Sequence, residues 1–121
     1  MRILVADDNQ LVRRGIVSLL SLAKDYEVCG EACDAGETLQ KADALRPDLV
    51  LLDVSMPGTN GLETARLLRL RVPETKILIM SQYDPRHLLP RSLEAGAQGC
   101  VDKASIAADL LPAIHKILVP A

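Results

Sequence analysis

Short apolar runs alternate with amphipathic segments along the whole chain. The apolar runs predict five strands, at residues 2–6, 27–32, 49–52, 76–80 and 99–101. The intervening segments repeat apolar residues at helical spacing, and they predict helices over 10–23, 35–45, 61–71, 85–95 and 105–119. A regular exchange of strand and helix is typical of βαβ units, whose strands form a parallel sheet.

The polarity of individual segments indicates helices on both faces of that sheet. The strand sequences LVLL and KILIM are apolar throughout, as expected where both faces of a strand are covered. The first predicted helix has one apolar stripe and a remainder that includes Arg13, Arg14 and Ser18. The residues of the stripe are Leu11, Val12, Gly15, Ile16, Leu19 and Leu20. Five such units make one α/β domain over residues 1–121, with no internal linker or repeat.

Composition narrows the functions open to this domain. Fourteen Lys and Arg against sixteen Asp and Glu give a net charge of -2, whereas direct nucleic-acid binding needs a basic surface. No apolar stretch approaches the roughly 20 residues of a membrane span, so we expect a cytoplasmic chain without membrane contact. Three cysteines, Cys29, Cys33 and Cys100, are too few and too irregularly spaced for a disulfide framework or a zinc site. We expect them to be buried thiols that act as small apolar groups.

Polar groups follow four of the five predicted strands. Asp7 and Asp8 come after the first strand, Asp53 after the third, Ser81 after the fourth, and Lys103 just beyond the fifth. The carboxyl ends of parallel strands meet at the edge where doubly wound sheets bind ligands. A single aspartate at a strand end is commonly a turn or cap residue, so the combination carries the inference. Converging carboxylates repel one another unless a cation joins them, and Mg²⁺ prefers such oxygen ligands.

Lys103 and Ser81 extend that chemistry. An ammonium and a hydroxyl beside the carboxylates suit a tetrahedral anion held next to Asp53. The segment after Asp53, VSMPGTNG, combines one proline with two glycines, and Thr59 or Asn60 can cap the helix that follows. We therefore expect a loop of defined shape beside this carboxylate.

The motifs in these positions resemble the receiver domain of two-component response regulators. The matching stretches are ILVADDN, LVLLDVSMPGTNGLE, ILIMS and EAGAQGCVDK, in that order. The runs VADDNQLVRRGIVSLL and DVSMPGTNGLETARLL are most similar to the NarL/FixJ (LuxR-type) branch. The resemblance implies a flavodoxin-like (CheY-like) (βα)5 fold with a doubly wound, five-stranded parallel sheet in the order 2-1-3-4-5. It also implies that residues 1–121 are the N-terminal receiver of a longer regulator with a helix-turn-helix DNA-binding domain.

The resemblance further implies a role for each residue at the strand ends. Asp53 would accept a phosphoryl group from a sensor histidine kinase, and Lys103 and Ser81 would contact that group. Mg²⁺ would be bound by Asp8, Asp53 and the backbone carbonyl of Ser55, with Asp7 acting nearby. Backbone amides of Val54, Ser55 and Gln82 are further candidate donors. The domain would be a phosphoacceptor that assists its own phosphorylation and dephosphorylation, and it would form a homodimer on activation.

Two positions depart from that family's pattern. Cys100 occupies the place on the fifth strand where the family usually has an aromatic switch residue, and Tyr83 is the aromatic nearest in sequence to the site. Pro90 lies inside the fourth predicted helix after an Asp84 cap, so we expect a late start, a kink or a distorted first turn there. Pro112 is expected to bend the last helix or shift its start.

Three other functions remain as alternatives. A haloacid-dehalogenase-like phosphatase also uses a strand-end aspartate and Mg²⁺, but its nucleophile follows the first strand, with a second Asp two residues later. A flavin-binding module would have a phosphate loop rich in Ser, Thr and Gly after the first strand, where this chain has acids. A receiver that acts through dimerisation or docking without phosphorylation is the closest rival.

Overall fold

Five parallel strands form one sheet in the order 2-1-3-4-5, as expected. The computed structural model describes residues 1–56, 60–82 and 85–119. The strands are β1 (Arg2–Ala6), β2 (Glu27–Ala32), β3 (Leu49–Asp53), β4 (Lys76–Ser81) and β5 (Gly99–Asp102). β1 pairs with both β2 and β3, so the strand order reverses there and the ends of β1 and β3 lie side by side.

Across the described residues, five α-helices connect and cover the strands. They are α1 (Gln10–Leu20), α2 (Ala35–Leu45), α3 (Gly61–Arg71), α4 (Pro85–Glu94) and α5 (Ile106–Leu118), with a short 3-10 helix at Lys103–Ser105 before α5. The side chains of Asn9, Asp34 and Asn60 cap α1, α2 and α3 by accepting hydrogen bonds from backbone amides of the first turn. α1 ends three residues before its predicted end, because Leu22 and Ala23 donate to the carbonyls of Leu19 and Leu20 in tighter turns.

Two apolar layers bury the sheet from both sides. One layer joins β1 residues Ile3 and Val5 to α1 and α5, and the other joins Leu4 and Ala6 to α2 and α3. All five residues of β3 are buried: the uninterrupted apolar run LVLL, as expected, and also Asp53 at the end of the strand. No helix within the described residues is long and apolar enough to cross a bilayer.

Several expectations about burial were wrong. Leu11 and Gly15 belong to the predicted apolar stripe of α1 but are exposed, so the buried stripe is narrower and centres on Ile16 and Leu20. Cys33 is exposed because β2 ends one residue earlier, at Ala32. Cys29 and Cys100 are only half-buried.

The two helical prolines do not end their helices. α4 begins at Pro85, as predicted, and continues through Pro90 without a late start. α5 begins at Ile106, one residue after its predicted start, and continues through Pro112. The expected Asp84 cap lies outside the described residues.

Candidate functional site

Three carboxylates converge where β1 and β3 end. Asp7 and Asp53 are buried, whereas Asp8 is exposed at the rim. One carboxylate oxygen from each of the three lies within 4.8 Å of the other two. The parallel pairing of β1 with β3 explains this convergence, because Ala6 pairs with Leu52 and each strand places its aspartate directly after that pair.

Lys103 bridges the two buried carboxylates. Its Nζ lies 2.6 Å from Asp7 Oδ2 and 3.2 Å from Asp53 Oδ2. Burial alone would lower the pKa of Lys103, but the short contact with Asp7 and the negative charge of Asp53 outweigh it and raise that pKa above its ordinary value. The ammonium is therefore charged at neutral pH and partly neutralises the acid cluster.

One lysine does not fully compensate the buried negative charge. Burial raises the pKa of Asp7, and the charge of Asp53 adds to this effect, whereas Lys103 and the Asn9 amide oppose it. Asp7 Oδ2 accepts no well-aligned hydrogen bond within the described residues, although Lys103 Nζ is close. A set of hard oxygen donors with excess negative charge fits Mg²⁺. Asp7, Asp8 and Asp53 therefore form a group whose carboxylate oxygens could hold a metal ion.

Ser55 holds the second oxygen of Asp53. Both its backbone amide and its hydroxyl donate to Asp53 Oδ1 at 3.1 Å. Lys103 contacts Oδ2, so the carboxylate is fixed at both oxygens. From the sequence the carbonyl and the amide of Ser55 are expected to matter, so the hydroxyl is the contact that the sequence reasoning missed. The amide of Val54, expected as a donor to the site, instead donates to the Met80 carbonyl at 3.2 Å.

Gly61 brings helix α3 unusually close to the backbone that follows Asp53. Its amide donates to the Val54 carbonyl at 3.1 Å. A Cβ added to Gly61 would lie only 2.3 Å from Val54 Cα and 3.0 Å from the Asp53 carbonyl oxygen. The glycine is therefore required by close packing beside the site and not only by the turn. Asn60, one of the two expected caps, accepts from the Glu63 amide, and Thr59 lies outside the described residues.

Ser81 is the last residue of β4, and Gln82 follows it. Ser81 is fully buried at the last position of the strand and pairs in register with Asp102 on β5, directly before Lys103. Gln82 follows and is exposed. Tyr83 lies outside the described residues.

Cys100 lies away from the carboxylates, on the edge strand β5. It pairs in register with Ile79 and packs against the apolar layer on the α2 and α3 side. Burial raises the pKa of the Cys100 thiol, and a hydrogen bond with Ser92 of α4 opposes that shift. The thiol lines an open groove of about 460 Å³ together with Leu78, Leu89 and Ile117. The small side chain of Cys100 thus lies beside open space at this edge of the sheet.

Comparison with known proteins identifies the class. A family model described as the response regulator receiver domain matches residues 3–115. This chain therefore belongs to the response regulator receiver domain family.

Individual relatives narrow the branch. The nitrate/nitrite response regulator NarL of Escherichia coli (strain K12) is 39% identical over 114 residues, which are 94% of this chain and 53% of that protein. GacA of Pseudomonas viridiflava is 38% identical over 117 residues, 97% of this chain and 55% of that protein. A LuxR-family regulator structure from Aurantimonas sp. SI85-9A1 has a TM-score of 0.91 at 37% identity and covers 97% of this chain and 84% of that one. The chain is the receiver domain of a NarL/FixJ (LuxR-type) response regulator and spans about half the length of these curated relatives.

Proposed function

We propose that this domain accepts a phosphoryl group on Asp53 from a sensor histidine kinase, in a reaction that requires Mg²⁺. The observation that carries the proposal is the pair of buried strand-end carboxylates bridged by Lys103. A surface ion pair would not need two desolvated acids, whereas a phosphoryl-transfer site needs fixed charge around its nucleophile.

The contacts of Asp53 support the role of nucleophile. Ser55 fixes Oδ1 and Lys103 fixes Oδ2, so the carboxylate is oriented before a donor arrives. A bond forms between a carboxylate oxygen of Asp53 and phosphorus while the bond from phosphorus to the histidine nitrogen breaks. Lys103, which contacts Asp53 Oδ2, would then pair with an equatorial phosphoryl oxygen. Asp7, Asp8, Asp53 and the Ser55 carbonyl would hold Mg²⁺, which when bound neutralises charge on the transferring group.

Phosphorylation then changes the charge balance of this end of the sheet. It adds about -1.5 to -2 charges and three acceptor oxygens next to Lys103 and Ser81. To move a conformational equilibrium from about 1:99 to 99:1, it must favour one state by roughly 5.5 kcal/mol. We propose that the hydroxyl of Ser81 turns toward the phosphoryl group and that backbone amides near Ser55 and Gln82 complete its surroundings.

We propose that the output is transcription control by a DNA-binding domain of the longer regulator, with homodimerisation on activation. The net charge of -2 does not favour direct DNA binding by this domain itself. The second candidate is a receiver that acts by docking or dimerisation without phosphorylation. Cys100, which replaces the usual aromatic switch residue, is the observation that favours this second candidate.

Mass spectrometry after incubation with acetyl phosphate and Mg²⁺ tests the proposal. The wild-type chain is expected to gain an adduct of about 80 Da that is stable in acid and labile in base. Asp53→Asn should abolish the adduct. Asp102→Asn is the matched control, because Asp102 also ends a strand but its side chain caps the 3-10 helix by accepting from Ala104, a role that Asn retains. No adduct on the wild-type chain with acetyl phosphate or a cognate kinase would overturn the phosphoacceptor role.

A further inference from the structure

The peptide that joins Asp7 to Asp8 is held by a residue outside the acid cluster. Asp7 closes β1 by donating its amide to the Ala32 carbonyl at 3.0 Å. Its own carbonyl oxygen accepts a hydrogen bond from Arg13 Nη1 at 2.5 Å. Arg13 is the fourth residue of α1, and its side chain is only 15% exposed, which is unusual for an arginine.

The hydrogen bond from Arg13 to the Asp7 carbonyl affects the orientation of Asp8 more than that of the Asp7 carboxylate. The carboxylate of Asp7 is already held by Lys103 and by the Asn9 amide. The carboxylate of Asp8 is exposed and takes part in no hydrogen bond or ion pair within the described ranges of the chain. Because the peptide bond is planar, fixing the Asp7 carbonyl also fixes the amide nitrogen of Asp8 and the direction in which that residue leaves the strand.

Glu31 on β2 orients the guanidinium. Arg13 Nε lies 3.1 Å from Glu31 Oε1, while Nη1 of the same planar group reaches the Asp7 carbonyl. A guanidinium can serve both acceptors at once because its donors form a rigid fork. The carboxylate of Glu31 also offsets the positive charge of Arg13, which would otherwise oppose a cation at the acid cluster.

We propose that Arg13 is a positioning residue for the metal site, acting through the Asp7 carbonyl to aim the carboxylate of Asp8 at Mg²⁺. This inference rests on the proposed function, since it assumes that Asp8 binds Mg²⁺. Groups that orient metal ligands typically change metal affinity by about 10- to 100-fold when they are removed. Because Arg13 orients only one exposed ligand among several, we expect its removal to change the Mg²⁺ affinity by an amount at the lower end of that range.

Titration calorimetry with MgCl₂ on the purified chain tests this role. Arg13→Ala is expected to weaken Mg²⁺ binding by about 10-fold, and Arg13→Lys should recover only part of the loss, because an ammonium lacks the rigid fork that serves Glu31 and the Asp7 carbonyl together. Glu31→Gln should give a smaller loss, and its effect should vanish in the Arg13→Ala background. Arg14→Ala is the matched control: it removes the same charge from the next position of α1, where the side chain is exposed and makes no hydrogen bond or ion pair within the described residues.

Each alternative gives a different result. If Arg13 acted only through its charge, Arg13→Ala and Arg14→Ala would both strengthen Mg²⁺ binding, which would overturn the inference. If Arg13 only stabilised the fold, its loss would lower the urea midpoint in EDTA while the Mg²⁺ affinity of the folded protein stayed unchanged, which would also overturn it. A wild-type chain that binds no Mg²⁺ would overturn the proposed function as well, whereas normal wild-type binding with equal affinity in Arg13→Ala would remove this inference alone.

Discussion

The end of the sheet that carries Asp7, Asp8 and Asp53, here called the acid end, and the edge formed by β5 and α4 are held together by different kinds of interaction. At the acid end, buried charges oppose one another and are held by short polar contacts from Lys103 and Ser55. At the β5 edge, a half-buried thiol and aliphatic side chains line an open groove. The acid end therefore responds strongly to any change of charge, whereas the edge has space to accept a change of volume. The largest effects of charge-changing substitutions at the acid end should therefore exceed those of volume-changing substitutions at the edge.

Gly61→Ala should have the largest effect on stability. The new methyl group would meet backbone atoms of Val54 at 2.3 Å, and backbone cannot move aside as a flexible side chain can. We expect a loss of about 3 kcal/mol in the free energy of unfolding, measured by urea denaturation, at the upper end of overpacking costs. Gly15→Ala is the control, because a Cβ at Gly15 has no atom within 4 Å and helix propensity alone should stabilise by up to about 1 kcal/mol. Equal effects at both glycines would contradict the close packing of α3 against Val54.

Lys103→Met should destabilise the metal-free protein by about 2 kcal/mol. It leaves two buried carboxylates without their counter-charge, and the figure is set below the cost of a fully buried pair because Lys103 is partly exposed. Lys116→Met on the exposed face of α5 is the control.

The difference in unfolding free energy between wild type and Lys103→Met should depend on pH, with a definite sign. The pKa of Lys103 is raised above its ordinary value of 10.5, so the folded state binds the proton more tightly than the unfolded chain does. The stabilisation is therefore fully present below pH 10.5 and is lost as pH rises through the higher pKa of the folded state. Urea titrations in EDTA should show a constant gap between wild type and Lys103→Met from pH 7 to about 10 and a smaller gap above that range. A gap that already closes near neutral pH would contradict this assignment.

Asp7→Asn should stabilise the metal-free protein by about 1 kcal/mol, because it removes a desolvated charge while keeping a side chain that can accept from Lys103. Since the pKa of Asp7 is raised, wild-type stability should fall as pH rises from 3.8 through the pKa of the folded state. The variant should lack that part of the pH dependence and should gain less stability from added Mg²⁺. Urea titrations in EDTA from pH 3.5 to 7 measure the pH dependence of the unfolding free energy of wild type and variant. Asp25→Asn, at an exposed position away from the cluster, is the control.

Sequence reasoning succeeded where topology alone determines position. Parallel strands that end in aspartate must bring those aspartates together, so the meeting of Asp7 and Asp53 follows from the order of the elements. The contacts that depend on the direction of a long side chain could not be predicted in this way. Arg13 lies outside the predicted apolar stripe of α1, yet its guanidinium reaches the Asp7 carbonyl at the end of β1, and Leu11, counted with that stripe, is exposed. Gly61 was predicted as a turn residue, because close approach to Val54 is visible only once the helix is placed.

Cys100→Tyr tests the other side of the comparison and should have the smallest effect on stability. The groove beside Cys100 offers about 460 Å³, so we expect a change within about 1 kcal/mol and an unchanged rate of phosphorylation by acetyl phosphate. A ring at this position would connect β5 to α4 more extensively than the thiol contact with Ser92 does. The change in hydrogen exchange of α4 amides on phosphorylation should therefore be larger in Cys100→Tyr than in wild type. Cys100→Ser keeps a small polar group next to Ser92 and should behave like wild type. Identical exchange changes in all three proteins would show that phosphorylation reaches α4 through contacts other than the side chain at position 100.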